Sequence, residues 1–405
     1  MLICVLLPIA IFAQKNYSLG GYVKLLGSFN NVNPEFIPED PLFEPFKPLL
    51  PTTSQDYQIH NRFNFKWYGP SGFTAGIGMR NRLFWGYQIR SFYNNQDLYS
   101  FIGIQSFEQL VDFNNYLDLS ILWYGNENSV LYSVFDRMWL QWEGEKIRAR
   151  VGRQRINWGI NNAFNPNDLF NQYNFFDFDY EERPGTDAVL LQYYTSSLSS
   201  IEAAFTPGPD SIQQSVGAML FRMNKFKYDW QFLAGYFKRD LALGMGWAGN
   251  IGNAGFKGET TYFLPIQESL SEENFVSSIS IDYSFKNGIY LMGGYLFNQM
   301  GSDEPSALNV AFIGSAELTA KNIFPYQNSL MLTASKNITP LFTANLSWIQ
   351  TPNFKNIIMV PSLTYSILAN LDFMVLGQLF FTEHPTTAQL GFFSSSIFTR
   401  LKYSF

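Results

Sequence analysis

Residues 57–67 read YQIHNRFNFKW, and the alternation within them decides the fold. Successive side chains of a β-strand point to opposite faces. Tyr57, Ile59, Phe63, Phe65 and Trp67 therefore share one face, and Gln58, His60, Arg62, Asn64 and Lys66 share the other. One face suits lipid and the other suits water. The turn YGPSG follows, and Phe73 to Trp85 repeats the pattern, with Ala75, Ile77, Met79 and Leu83 opposite Gly76, Gly78, Arg80 and Arg82. A β-hairpin with a short turn is the economical reading.

The same rhythm runs along the chain. It gives about 18 candidate strands, most of a length that lets a tilted strand cross a bilayer. They are expected near 18–29, 55–67, 73–85, 129–143, 147–158, 186–194, 199–206, 215–224 and 228–238. The second half continues with 241–251, 254–263, 275–284, 289–298, 329–335, 342–351, 356–366, 370–381 and 396–405. Short links such as YGPSG, EGEK and FKNG alternate with mostly longer ones, at 30–54, 86–128, 159–185, 207–214, 264–274, 299–328 and 382–395. The KRD link near Asp240 would be an unusually short member of the long set. Short periplasmic turns and long extracellular loops are the layout of a transmembrane antiparallel β-barrel, and an even strand count puts both termini in the periplasm. Two loop segments, after Gln105 and after Pro305, carry helical patterning that could fold into the mouth or lumen.

Composition agrees with this all-β reading. The 405 residues are 18% aromatic, 46% apolar and 15% charged, and mean hydropathy is -0.08. That is too aromatic for an ordinary cytosolic enzyme and too polar for a bundle of membrane helices. No run of about 18 apolar residues reads as a helical span. Met1 to Ala13 (MLICVLLPIAIFA) reads as a signal peptide, although no positive residues precede its apolar stretch, and leaves 14–405 as a single barrel domain. Cys4 is the only cysteine, so cleavage removes any disulfide, thiol nucleophile or thiolate metal site. A net charge of -6 gives no support to nucleic-acid binding.

The final strand reads IFTRLKYSF, with Ile397, Thr399, Leu401, Tyr403 and Phe405 on one face. Leu401, Tyr403 and the terminal Phe405 resemble the C-terminal signal through which barrel-assembly machinery recognises outer-membrane proteins. Bacterial outer-membrane lipid and that machinery are the implied partners.

Charge concentrates on the expected lumen face at Arg62, Lys66, Arg80, Arg82, Arg137, Arg148 and Arg150. In KIRARVGRQRINWG, Arg153 and Arg155 have the opposite parity to Arg148 and Arg150. A lipid-facing Arg at mid-bilayer costs roughly 2–4 kcal/mol. A bulge at Gly152 would return all four to the lumen, or Arg153 and Arg155 would lie above the lipid zone. The following connection supplies Asp168, Asp177, Asp179, Glu181, Glu182 and Asp187. Folded inward, these carboxylates would either set a transverse field that selects polar solutes or neutralise buried arginines and pin the loop.

The run GRQRINWGINNAFNPNDLFN with DYEERPGTDAVLLQYY, within Val151 to Tyr194, resembles a segment of porin-like outer-membrane proteins of Bacteroidetes. More distantly it is similar to the alginate-export type of 18-stranded barrel. That likeness implies an anion-favouring pathway lined by Arg148, Arg150, Arg153 and Arg155, from which the acidic loop departs.

Enzymatic readings find little support. His60 lies among cations, and His384 with Glu383 supplies too few ligands for a metal; neither histidine has a serine or carboxylate signature beside it. No cofactor motif is evident, and there is no length for the plug domain of an energised transporter. The expected function is a porin-like channel for small polar or anionic solutes or oligosaccharides. A loop-plugged scaffold for secretion or surface assembly is the alternative, an outer-membrane enzyme a distant third, and trimerisation stays open.

Overall fold

The computed structural model describes residues 16–37, 44–101, 104–111, 115–171, 184–267, 271–302 and 318–405. The proposed signal peptide, Asp177, Asp179, Glu181, Glu182 and most of the segment after Pro305 lie outside them. Nineteen strands form one sheet. In chain order these are β1 (Tyr17–Val32), β2 (Thr53–Tyr68), β3 (Phe73–Gly86), β4 (Ser120–Gly125), β5 (Val130–Glu143), β6 (Ile147–Gln154), β7 (Thr186–Ser196), β8 (Ser199–Thr206), β9 (Val216–Lys225) and β10 (Tyr228–Phe237). They continue as β11 (Asp240–Ile251), β12 (Ala254–Pro265), β13 (Asn274–Ser284), β14 (Ile289–Asn298), β15 (Asn328–Thr339), β16 (Phe342–Gln350), β17 (Asn356–Leu368), β18 (Leu371–Glu383) and β19 (Leu390–Ser404).

Each wall strand pairs antiparallel with its neighbours, and β19 pairs with β1, closing an 18-strand barrel. Among the described residues the nineteenth strand, β4, pairs only with β5. Closure joins the first and last wall strands, as hydrocarbon requires, because backbone polar groups there have no water to bond. The C-terminus completes the seam: the Gly21 N–H donates to the Phe405 carbonyl at 2.9 Å and the Phe405 N–H to that of Gly21 at 3.0 Å. The Phe405 ring stands edge-on to Phe63.

The wall is inverted relative to a soluble protein. Phe63, Trp67, Val151, Leu191, Met219 and Leu332 are exposed on the outside, whereas Lys24, Arg62, Gln231 and Glu259 are buried inside. That is the dyad pattern of a membrane barrel with a polar lumen. The Lys238–Arg239 link between β10 and β11 is indeed tight, with φ of 44° and 84°.

Three expectations need correction. First, β6 ends at Gln154 rather than near 158. Second, the connection after β3 holds β4 and two unexpected helices, α1 (Tyr87–Asn94) and α2 (Gln96–Phe101), besides α3 (Glu108–Val111) in the anticipated segment. Third, no extra residue is inserted at Gly152, since Trp139 pairs with Gly152 and Met138 with Arg153 in unbroken register. The bulge lies in β5, where Met79 faces Phe135 and Gly78 faces Arg137, leaving Asp136 as the extra residue.

Two apolar clusters narrow the lumen. The helices pack Ile89, Phe92 and Phe107 against Phe84, Val130, Tyr132 and Val134 of β3 and β5. In the second, Ile156, Trp158, Phe164 and Leu169, together with Ile323, Phe324 and Tyr326, join buried residues of β7 to β19.

Candidate functional site

Cross-strand register stacks the inward cations. One rung runs Lys402, Lys24, His60 and Arg82 across β19, β1, β2 and β3, and the next runs Ser404, Tyr22, Arg62 and Arg80. Like charges directly opposite one another repel, so the rungs need compensation. The Tyr22 ring supplies part of it, with Lys24 Nζ at 4.5 Å and Lys402 Nζ at 5.0 Å from its centroid. Asp136 adds to it. Its Oδ2 lies 2.6 Å from Arg62 Nη1, 3.5 Å from Arg80 Nε and 3.8 Å from Arg137 Nη1. The β5 bulge is what turns both Asp136 and Arg137 inward.

Lys24, His60, Arg62, Arg80 and Arg82 are buried, so other parts of the chain cover them. Arg82 also donates to the Val111 carbonyl at 2.6 Å, tying the helical insert to the wall. Below them, Arg148 and Arg150 are half-buried and Lys66 is exposed. The Arg150 guanidinium lies 4.4 Å from the Trp139 ring centroid, and its Nε donates to Gln141 at 2.8 Å. The ring and the amide hold the guanidinium in place on the inner face.

Arg153 has a different place. Gly152 has φ +109°, and a Cβ there would meet the Met138 carbonyl at 2.2 Å. β6 stays paired with β7 to Gln154, and β4 with its lead-in covers the part of the β5 edge beyond Met138 that β6 leaves. Arg153 is 3% exposed and Asp187 6%. Nε and Nη2 of Arg153 each lie 2.9 Å from an Asp187 oxygen, Nη1 donates to the Phe135 carbonyl at 3.2 Å, and Nη2 also reaches the Leu117 carbonyl. The Leu117 N–H completes the set by donating to Asp187 at 2.8 Å. Asp187 thus joins Arg153 in the wall rather than facing the basic rungs across a lumen. Arg155, at the start of the inward segment, is exposed.

From Ile156 to Asn171 the chain folds into the barrel. Trp158 is buried, with its indole N–H donating to Glu202 at 2.9 Å and Phe170 standing edge-on to it. Asp168 accepts the Trp158 N–H at 3.4 Å and is itself buried within the segment. Glu202 also pairs with Arg222, a cation the sequence reading passed over. Lys24, Arg400 and Lys402 carried a legible signal, the parity of their strands. Glu259, on which the inward segment rests, carried none beyond an acid on a lumen face.

Glu383 pairs with Lys355 at 3.0 Å, and His384 Nδ1 faces the Thr386 and Thr387 N–H groups. His60 stands edge-on to Tyr22. Among the described residues no group of three or more His, Cys, Asp or Glu could hold a metal ion.

No family model matches the chain, and no curated protein sequence does. Solved structures do. The fold is similar to OccK9 (OpdG) of Pseudomonas aeruginosa, with TM-score 0.59 and 9% identity over 96% of this chain and 98% of that one. OccAB4 of Acinetobacter baumannii gives 0.57 and 9% over 96% and 98%, and OccAB3 of that organism 0.55 and 11% over 96% and 99%. All three are outer-membrane porins. With so little identity the likeness is one of architecture: this chain folds as an 18-stranded barrel of porin type.

Proposed function

We propose that the protein is an outer-membrane channel for the passive passage of small polar solutes, with a preference for anions. The observation that carries this is the one-sided lumen. Cations line β19, β1, β2, β3 and β6, while the facing strands are covered by the inward segment and its apolar packing. A narrow passage beside fixed positive charge attracts anions and slows cations. Arg148, Arg150 and Lys66 belong to the accessible part of that wall, and the first two lie in the pathway implied by the alginate-export likeness. Arg155, at the start of the inward segment, joins them in this reading.

Planar-bilayer recording of the refolded chain should show steady conductance with an anion-favouring reversal potential in a salt gradient. Replacing Arg148 and Arg150 by Ala should move that potential toward zero. An unchanged potential would remove these arginines from the pathway. A loop-plugged scaffold is the second reading, favoured by the burial of Lys24 and Arg62; electrical silence from a folded barrel would establish it.

We also assign Leu401, Tyr403 and Phe405 to recognition by barrel-assembly machinery. Deleting Phe405 removes both bonds to Gly21 and should lower the heat-modifiable folded fraction in cells several-fold. Normal assembly would sink this assignment.

A further inference from the structure

We infer that Glu259 of β12 is the positioning residue of the constriction: its carboxylate holds the inward segment across the lumen and thereby sets the width of the passage. This rests on the channel reading above, but its first test does not.

Glu259 is fully buried. Its Oε1 accepts the backbone N–H groups of Ile160 and, at 2.6 Å, Asn161, and its Oε2 accepts that of Asn167 at 3.0 Å. Three demands of an irregular segment thus end on one side chain of the wall. Inside a barrel an irregular backbone has no ladder partner, and each unpaired N–H is costly. A carboxylate with two oxygens and several lone pairs can satisfy such a cluster, and charge-assisted bonds of this kind are stronger than neutral ones.

Neighbouring contacts place the segment laterally. Asn167 accepts from Thr261 at 2.7 Å and donates to the Met245 carbonyl at 3.1 Å, and Ser278 donates to the Phe164 carbonyl at 2.8 Å. These bonds are neutral, and Ser278, which also accepts from the Asn161 side chain at 2.8 Å, bridges the segment through them. Among the described residues Glu259 is the side chain that takes backbone N–H groups from both limbs of the turn between Ile160 and Asn167.

Hydrogen exchange on the refolded, full-length barrel tests the anchor directly. In Glu259→Ala the amides of Ile160, Asn161 and Asn167 should exchange roughly tenfold faster or more, with those of the wall strands unchanged. In bilayers the same variant should conduct roughly twofold more and admit larger neutral polymers. A folded Glu259→Ala barrel with wild-type exchange at those amides and wild-type conductance overturns the inference. Where Glu259→Ala does not fold, Glu259→Gln decides: it keeps one acceptor oxygen, which can serve Ile160 and Asn161 but not Asn167 as well, so at least one of the three amides should still speed up, and no change at any of them overturns the inference. Electrical silence of the wild type would count against the channel and leave the exchange result to judge the anchor.

Discussion

Arg153→Ala is expected to destabilise the barrel by about 3–5 kcal/mol, the usual consequence of stripping one partner from a buried ion pair, while surviving channels keep nearly the wild-type reversal potential. The guanidinium is 3% exposed and spends its donors on Asp187 and on the Phe135 and Leu117 carbonyls. Its charge is cancelled inside the wall, so removing it changes little that a passing ion would feel. What it leaves is a buried Asp187 carboxylate that still accepts the Leu117 N–H, at the point where β6 abandons the wall. Urea unfolding from lipid vesicles measures the loss. Pairing Arg153→Met with Asp187→Leu should recover much of it, because an apolar pair of similar volume avoids the uncompensated charge. A selectivity change without loss of stability would place Arg153 in the solute path instead.

Most of the wall was legible because it obeys a single rule. β8 and β14 fall on the residues that alternation and turn residues indicate, 199–206 and 289–298. A strand in a closed barrel has one face to lipid and one to the lumen, and nothing else competes for its pattern. Where the chain leaves that geometry the rule fails. β4 is six residues with almost every side chain exposed, so its sequence, SILWYG, shows no two-faced alternation. It exists because β5 outruns β6, a fact of tertiary register. α1 and α2 form where Gly86, with φ +137°, turns the chain off β3, and their apolar residues resemble strand residues to a reader counting by twos.

The site divides along the same line. Arg62, Arg80, Arg82, Arg148 and Arg150 sit in regular strands, and parity placed them on the inner face. Arg137 reaches that face only through the bulge at Asp136, which parity cannot see. Arg153 and Asp187 were legible as an acid and a base close in sequence to a turn, but not as a pair within the wall. Glu259 binds backbone groups 92 to 99 residues away. No spacing in the sequence points to that partnership, because the acceptor is a side chain and the donors are anonymous amides.

Asp136→Asn should have opposite effects on stability and on anion preference, lowering the one and raising the other. Arg62, Arg80 and Arg137 lie within 2.6–3.8 Å of the same carboxylate oxygen, and Asp136 is buried. Unit charges about 4 Å apart interact by roughly 4 kcal/mol at an effective dielectric near 20. Three guanidiniums around a neutral amide thus keep their mutual repulsion and lose the attraction of this carboxylate. The amide oxygen still accepts one hydrogen bond, which limits the net loss to about 3–5 kcal/mol, the range seen when buried pairs are broken. The lumen meanwhile gains one net positive charge at its most crowded cationic level, and the reversal potential should move further toward the anion limit. Adding Arg80→Gln should restore both properties together, since it returns the cluster to its original net charge. If Asp136→Asn folds with wild-type stability, the three arginines are compensated elsewhere. If it weakens the barrel while leaving selectivity untouched, the cluster is a structural knot that the solute never meets, and the passage must run along Arg148 and Arg150 alone.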